Sequence, residues 1–249
     1  MFTSEDRRRI RSELLDRATR DSRISGGAVT GSAAEDREDR WSDVDLAFGV
    51  EVGADLTGVL SDWTAYMYEE HRAVHHVDMR FGAWTYGVFL LADTLQVDLA
   101  FVPEAEFRAV APSFRLAFGK AQEARHAPPP LAEDLIGMGW LYALHARSSI
   151  ARGKLWQAEY MVSGVRDHAL ALACLRHGLP TAHGRGFDQL PAEVTARFED
   201  ALVRHLDEAE LVRAFGVAME CLLIEIQEAD DGLSRRLQPT LVELSSPTR

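Results

Sequence analysis

Two segments decide the fold: Gly26-Gly27-Ala28-Val29-Thr30-Gly31-Ser32 and, ten residues later, Asp43-Val44-Asp45-Leu46. In the second segment carboxylates alternate with apolar residues, which is the period of a strand with one buried face. Asp43 and Asp45 are therefore predicted to project from the same face. Like charges on a rigid strand repel each other, and a bound divalent cation removes that cost. Mg²⁺ suits such a site, because it binds one or two carboxylates and completes its shell with substrate phosphates and water.

The first segment predicts a strand, residues 24–30, that leads directly into a turn at Gly31. Glycine permits a tight turn whose exposed N–H groups, together with the hydroxyl of Ser32, can hold phosphate oxygens. Residues 33–42 carry many charges and are expected to form a solvated loop. Gly-Ser or Asp-x-Asp alone carries little information, and the specificity lies in their combination at this spacing.

Gly-Ser, a spacer of this length and then Asp-apolar-Asp-apolar resembles the signature of the nucleotidyltransferase (DNA polymerase beta-like) superfamily. In that family the Gly-Ser pair cradles a triphosphate and the Asp pair holds two metal ions. The resemblance implies that Asp43 and Asp45 are catalytic ligands of two Mg²⁺ ions, and that Gly31 and Ser32 bind a nucleotide. The alternative is a surface turn followed by an edge strand with two solvated acids.

Asp98 is the one acid in an otherwise apolar strand predicted at Leu95–Val102. Burying a lone carboxylate is costly unless it is paired or bound to a cation. In the family that the motif resembles, a third carboxylate arrives on a later strand beside the first pair. The resemblance therefore implies that Asp98 is a third catalytic and metal-binding residue, and a candidate general base. The alternative is a strand acid that faces water from an open sheet.

The pattern changes at Ala127-Pro128-Pro129-Pro130, where neither a helix nor a strand ladder can continue. We predict an α+β fold: a nucleotidyltransferase-type mixed sheet with flanking helices, then an antiparallel helical bundle. The predicted domains are 1–127, the catalytic domain, 131–233, the helical bundle, and 234–249, a loosely ordered tail. Predicted helices cover 4–20, 55–72, 104–110, 133–152, 155–177, 192–206 and 208–230, and predicted strands cover 24–30, 43–50, 74–81, 84–91 and 95–102, with 112–119 left as edge strand or loop.

Positive charge in the helical half collects where its first two helices meet. A sheet domain followed by such a bundle is similar to the antibiotic nucleotidyltransferases of the aminoglycoside and lincosamide type. In those proteins cations of the helical domain meet the nucleotide phosphates, so Arg147 and Lys154 are candidate nucleotide-binding residues. Ordinary helix-surface charge is the alternative. Some members take their general base from the helical domain, which makes Glu159 the alternative to Asp98.

The chain has 249 residues and a formal net charge of −12, with 47% hydrophobic and 27% charged residues. That charge argues against a long nucleic acid as partner and is compatible with a cationic small molecule. The basic run at residues 7–11 is expected to be a solvated helix face. Cys174 and Cys221 are expected to be buried free thiols. With no apolar run of membrane length and no signal-peptide core at the N-terminus, we expect a cytoplasmic protein.

The resemblance implies a Mg²⁺-dependent enzyme that moves a nucleoside monophosphate, AMP from ATP before other NTPs, to a hydroxyl of a small molecule. An aminoglycoside-like antibiotic is one candidate acceptor, and a homodimer is compatible with the sequence. One alternative is a non-catalytic, antitoxin-like protein of the same fold that acts through a protein partner. A second alternative, an RNA-modifying transferase, requires a basic face.

Overall fold

A computed structural model describes residues 1–245, and the chain divides into two compact units between Ala127 and Pro128. The helices of the first unit are α1 (Ser4–Arg20), α2 (Gly31–Ala34) and α3 (Leu56–Glu70). Its strands are β1 (Ile24–Thr30), β2 (Val44–Val50), β3 (Ala73–Phe81), β4 (Trp84–Leu91), β5 (Gln96–Pro103) and β6 (Phe114–Gly119).

The strands found within residues 1–245 form one six-stranded sheet in the order β3-β4-β5-β2-β1-β6. β2 and β5 pair in parallel, while the other neighbours pair antiparallel, so the sheet is mixed. The parallel register sets Asp45 beside Asp98. Because side chains alternate between faces, these two acids share one face of the sheet, and the residues directly after them, Leu46 and Leu99, lie on the opposite face.

The face of the sheet opposite Asp45 and Asp98 is covered by α1 and α3. Phe48 of β2 meets Trp63 of α3 and Phe101 of β5, with ring centroids 4.9 and 5.5 Å apart. All three rings are buried. Burying each such side chain contributes about 2–3 kcal/mol, so this layer fixes which face of β2 points away from the helices. The acids are left on the other face.

The second unit is helical. Its helices are α4 (Ala132–Ala151), α5 (Leu155–Arg176), α6 (Ala192–Glu199), α7 (Glu208–Ala229) and α8 (Asp231–Ser245). Gly153, in the left-handed region at φ +63°, turns the chain between α4 and α5. Gly164 of α5 lies directly under the ring of Tyr142 of α4, which brings the two helices close. The core also holds Glu225, which is 1% exposed and bonded by two arginines.

The expected fold class, an α+β chain with a mixed sheet followed by a helical bundle, is confirmed. The helix expected at 104–110 is wrong: a single 3₁₀ turn, Glu104–Glu106, precedes extended backbone at Phe107. The ring of Phe107 is fully buried and packs against Gly26 and Gly49. This packing of Phe107 keeps the backbone after Glu106 from continuing as a helix. Residues 114–119 form the edge strand β6.

Two expectations for the helical half are also wrong. The helix expected at 192–206 ends at Glu199, and Arg213 binds the carbonyls of Asp200 and Leu202 that follow. Residues 234–245, expected to be loosely ordered, belong to α8, because Leu241 and Leu244 are buried in the core even though Pro239 lies inside the helix. Residues 246–249 lie outside the described part. None of the helices within residues 1–245 is both long and apolar enough to cross a lipid bilayer.

Candidate functional site

Three carboxylates come together at one end of the sheet. Asp43 directly precedes β2, Asp45 lies on β2 and Asp98 lies on β5. Each offers an oxygen, and these oxygens all lie within 4.8 Å of one another. Among the described residues this is the one group of three or more His, Cys, Asp or Glu side chains close enough to share a metal ion. The convergence expected from the sequence is present, and the catalytic role of the three residues remains a prediction.

The electrostatics of this cluster favour a cation. Burial, opposed by the hydrogen bonds that Gln96 donates and supported by the nearby charge of Asp43, raises the pKa of Asp98 to about 6. Those bonds join Gln96 Nε2 to the Asp98 carboxylate oxygens at 3.0 and 3.2 Å. Three partly buried oxygen donors match the ligand preference of Mg²⁺, a hard ion that binds carboxylates. The residues present therefore fit a divalent metal.

The Gly31-Ser32 turn lies against this cluster. Gly31 has φ +62°, in the left-handed region, and opens the short helix α2. A Cβ at position 31 would overlap the carboxylate of Asp45. Glycine therefore serves two needs here, the backbone conformation and the close approach to Asp45. The turn brings the backbone N–H groups that follow β1 next to the three acids, and nucleotide binding by Gly31 and Ser32 stays a prediction.

Sequence reasoning missed Arg7. Its side chain is 3% exposed, and Nη1 donates to the carbonyls of Asp39 and Ser42 at 2.6 and 3.1 Å. Its Nε lies 2.9 Å from the carboxylate of Glu38, which Arg11 also binds at 2.6 Å. The expectation that residues 7–11 form a solvated face is therefore wrong for these two arginines.

The buried position of Arg7 has a signal in the sequence. It falls three and seven residues before Ile10 and Leu14, so it lies on the buried stripe of α1. The loop it holds ends at Ser42, the residue before Asp43. Arg7 therefore ties the loop to α1 where the chain enters the carboxylate cluster.

The candidate residues of the helical half belong to the second unit. Arg147 lies on α4 and is partly buried, and Lys154 is exposed just before α5. Glu159 accepts a hydrogen bond from Ser163 Oγ at 2.8 Å. Nucleotide binding by Arg147 and Lys154, and proton transfer by Glu159, remain predictions.

Both cysteines are free and buried, as expected. Burial raises the pKa of Cys174, and it raises the pKa of Cys221 to about 11. A thiol that stays protonated at neutral pH is a poor nucleophile and a poor metal ligand. The two cysteines therefore act as core residues.

Solved structures that are similar to the chain include an adenyltransferase and a polymerase core. An aminoglycoside 6-adenyltransferase from Bacillus subtilis is 13% identical, with 99% of this chain and 100% of that chain covered and a TM-score of 0.44. The polymerase core of TRAMP, an RNA surveillance complex, is 12% identical, with 100% and 85% covered and a TM-score of 0.31. No family model and no curated protein sequence matches the chain. At these identities and scores the likeness says nothing about activity.

The molecule's own geometry contains the arrangement of strands, turn and acids that the sequence motif predicts. A strand leads into the Gly31 turn, Asp43 directly precedes the next strand, which carries Asp45, and a parallel neighbour of that strand supplies Asp98. These are the features that the motif resemblance implied.

Proposed function

We propose that the chain is a Mg²⁺-dependent nucleotidyltransferase that moves a nucleoside monophosphate from an NTP, ATP before others, to a hydroxyl of a small molecule and releases pyrophosphate. The observation that carries the proposal is the convergence of Asp43, Asp45 and Asp98, whose oxygens lie within 4.8 Å of one another. The Gly31 turn lies so close to this cluster that a side chain at position 31 would overlap Asp45. A structural role alone does not explain three clustered acids, because their mutual repulsion costs stability without a cation.

Each residue has a role in the proposal. When bound, two Mg²⁺ ions would neutralise the triphosphate and make the acceptor hydroxyl a better nucleophile. Asp43, Asp45 and Asp98 would hold the ions, while the Gly31 backbone and Ser32 would bind the β- and γ-phosphates. Asp98 would also be the first candidate to accept the hydroxyl proton, because it would lie beside the metal ions that hold the acceptor.

The second unit contributes further candidates to the proposal. Arg147 and Lys154 would bind phosphate oxygens, where a guanidinium and an ammonium stabilise the developing charge. Glu159 is the alternative general base, and loss of the pH dependence in a Glu159→Gln variant rather than in an Asp98→Asn variant would assign the role to it.

The acceptor is proposed to be a small hydroxylated molecule. The net charge of −12 favours cationic compounds over nucleic acids, so aminoglycosides and lincosamides are the first compounds to test, with a resistance role as the corollary. A cytoplasmic location and a homodimer complete the proposal. Absence of nucleotide binding would instead favour the antitoxin-like alternative.

The test measures transfer with ATP, CTP, GTP and UTP, Mg²⁺ and an acceptor panel, detected as pyrophosphate release and as the mass gain of one nucleoside monophosphate. Asp43→Asn and Asp45→Asn should each lower kcat/KM by at least about 10²-fold, because each removes charge that holds the metal. Asp78→Asn, at an exposed strand acid outside the cluster, is the matched control. Full activity in both cluster variants would overturn the proposal.

A further inference from the structure

The face of the sheet that carries Asp45 and Asp98, which we call the carboxylate face, continues past them as small side chains. Two residue pairs further along the parallel register, Ala47 lies beside Ala100 on the same face. Ala100 is opposite Tyr86 on β4. Residues two apart on a strand are about 6.5–7 Å apart. The alanines therefore leave a depression immediately next to the two acids.

Larger side chains surround this depression and make it a pocket. Trp84 and Tyr86 stack on the β4 side, with ring centroids 6.1 Å apart and planes at 28°. Phe114 of β6 stands on the other side, and the segment 108–113 covers one end. The resulting cavity has a volume of about 110 Å³. We call it the alanine pocket, and its principal lining residues are Thr30, Ala47, Trp84, Tyr86, Ala100 and Phe114.

We propose that the alanine pocket receives the acceptor of the transfer reaction, and that this acceptor presents one planar ring that carries no positive charge, with its hydroxyl directed towards Asp98. The inference rests on the proposed function and narrows its substrate class. A cavity of about 150 Å³ holds benzene, so this open pocket of about 110 Å³ has room for no more than a single ring. A nucleotide is far larger, and its two-ring purine base exceeds the space.

The chemistry of the lining argues against a polycation at this position. None of the pocket-lining side chains in the described part of the chain is acidic, and one, Arg108, is a cation. Arg108 pairs with Glu106 at 3.3 Å and donates to the Ala105 carbonyl at 2.7 Å. An ammonium group placed against Arg108 would be repelled by its guanidinium, and the lining supplies no carboxylate to offset that repulsion. The overall charge of −12 therefore does not decide what binds here.

The pocket also offers hydrogen-bond donors. Arg108 lines the pocket, and no hydrogen-bond partner for its Nε is found among the described residues. The hydroxyl of Tyr86, whose pKa is raised by burial, is protonated at neutral pH and can donate. A ring substituent that accepts hydrogen bonds, such as a carboxylate or carbonyl, would satisfy such donors. We therefore expect a hydroxymethyl arene with an accepting substituent to bind better than its cationic analogue.

The transfer step balances without further reactants. The acceptor hydroxyl oxygen forms a bond to the α-phosphorus of the NTP, and the bond from the α-phosphorus to the α–β bridging oxygen breaks. Pyrophosphate leaves with that electron pair. The hydroxyl proton passes to the Asp98 carboxylate and then to water.

The first experiment measures binding of 4-(hydroxymethyl)benzoate to the full chain in the presence of Mg²⁺ and α,β-methylene-ATP, by ligand-observed NMR and calorimetry. The cationic match is 4-(aminomethyl)benzyl alcohol, and kanamycin represents the polycations. We expect the benzoate to bind at least about tenfold more tightly than the cationic ring compound, because only its substituent can accept hydrogen bonds from Arg108 and Tyr86. Absence of benzoate binding to a protein that binds the nucleotide overturns the inference.

Variants locate the site. Ala100→Leu fills the pocket and should weaken benzoate binding at least about tenfold by excluding the ring, while the affinity for α,β-methylene-ATP changes less than about threefold. Ala117→Leu, on the exposed face of β6, is the matched control. Because Ala100 is buried and its variant can fail to fold, Tyr86→Phe and Trp84→Ala, at partly exposed positions, are measured alongside and should also weaken benzoate binding.

The outcomes separate the two levels of the argument. A wild-type protein that binds neither Mg²⁺ nor the nucleotide overturns the proposed function itself. A wild-type protein that transfers AMP to an acceptor, with a kcat/KM for that acceptor that all three pocket variants leave unchanged, overturns only the pocket assignment. Weaker nucleotide binding with unchanged benzoate binding means that the pocket holds the base, and this also overturns the assignment.

Discussion

Replacing Asp98 by Asn should make the metal-free protein more stable at neutral pH, although it removes a residue of the proposed site. The pKa of Asp98 is about 6 in the fold, against an ordinary value of 3.8. A raised folded-state pKa means that the ionised form is disfavoured by folding. The stability that the neutral form provides is fully present below pH 3.8 and is lost as pH rises through 6.

The size of the effect follows from that difference. If the whole pKa difference is converted into free energy, ionised Asp98 destabilises the native state by about 3 kcal/mol above pH 7. Asp98 is partly exposed, and solvent screening reduces the expected gain of Asp98→Asn to about 1–2 kcal/mol. Asn keeps an oxygen that can accept from Gln96, so the variant removes the charge and retains the shape. At pH 4 the two proteins should differ by less than about 0.5 kcal/mol.

Magnesium should reverse the order of stability. A ligand present at about 100 times its Kd stabilises the native state by about 2.7 kcal/mol, and the wild type should show such a gain in 10 mM MgCl₂. The Asp98→Asn variant should gain much less, because it has lost a carboxylate ligand. The wild type is then the more stable protein with Mg²⁺, and the variant is the more stable one in EDTA.

The assay is hydrogen exchange of peptides that cover β2 and β5, measured in increasing urea at pH 7.5 and pH 4. Exchange in these peptides reports opening of the first unit, and a global unfolding curve would mix the two units. Asp78→Asn is the control for a strand acid outside the cluster and should change little. An Asp98→Asn protein that is no more stable than wild type at pH 7.5 in EDTA, or that gains equally from Mg²⁺, refutes the reasoning.

Three further predictions follow from single contacts. Arg7→Met should destabilise the first unit by about 2–4 kcal/mol, since it leaves Glu38 and two carbonyls without their buried partner, and it should weaken Mg²⁺ binding. Urea denaturation measures the first effect and calorimetry the second. An unchanged Mg²⁺ affinity would argue against a link between the loop and the carboxylate cluster. Gly31→Ala should abolish Mg²⁺ and nucleotide binding, because the added Cβ overlaps Asp45. The control Gly53→Ala, at φ +88° with open space around it, should cost only about 1–2 kcal/mol of backbone strain. Equal binding by both variants in calorimetry would contradict this prediction. Hydrogen bonds from Arg23 lower the pKa of Asp21 to about 2, so ionised Asp21 stabilises the fold by about 1–2 kcal/mol above pH 3.8, and this stabilisation is lost as pH falls towards 2. Asp21→Asn should therefore lower the free energy of unfolding at pH 6 and have little effect near pH 2. A loss of the same size at both pH values would be inconsistent with this prediction.

The sequence predicts the carboxylate cluster because its members lie on strongly patterned strands. Asp43 and Asp45 alternate with buried apolar residues, and Asp98 interrupts an apolar strand, so the strand period alone assigns each acid to a face. The parallel register that sets Asp45 beside Asp98 comes from the family resemblance, since no local pattern in β2 or β5 specifies its partner strand.

Other features depend on contacts that are distant in sequence. Arg7 looked solvated because it stands in a run of basic residues, and its partners lie more than thirty residues away in a loop of no regular pattern. The helix predicted at 104–110 does not form, because the ring of Phe107 packs against two glycines, one on β1 and one on β2. The alanine pocket needs Trp84 and Phe114 to face each other across strands that are not neighbours, which a one-dimensional pattern does not encode.

The central claim is that Asp43, Asp45 and Asp98 bind divalent metal ions together with a nucleotide. Anomalous diffraction from crystals soaked with Mn²⁺ and α,β-methylene-ATP tests it most directly, because Mn²⁺ takes the same oxygen ligands as Mg²⁺ and scatters anomalously. We expect anomalous peaks among the three carboxylates, with the α-phosphate against them and the β- and γ-phosphates on the Gly31-Ser32 turn. Well-defined nucleotide or Mn²⁺ elsewhere on the protein, with no peak at the cluster, would contradict the claim.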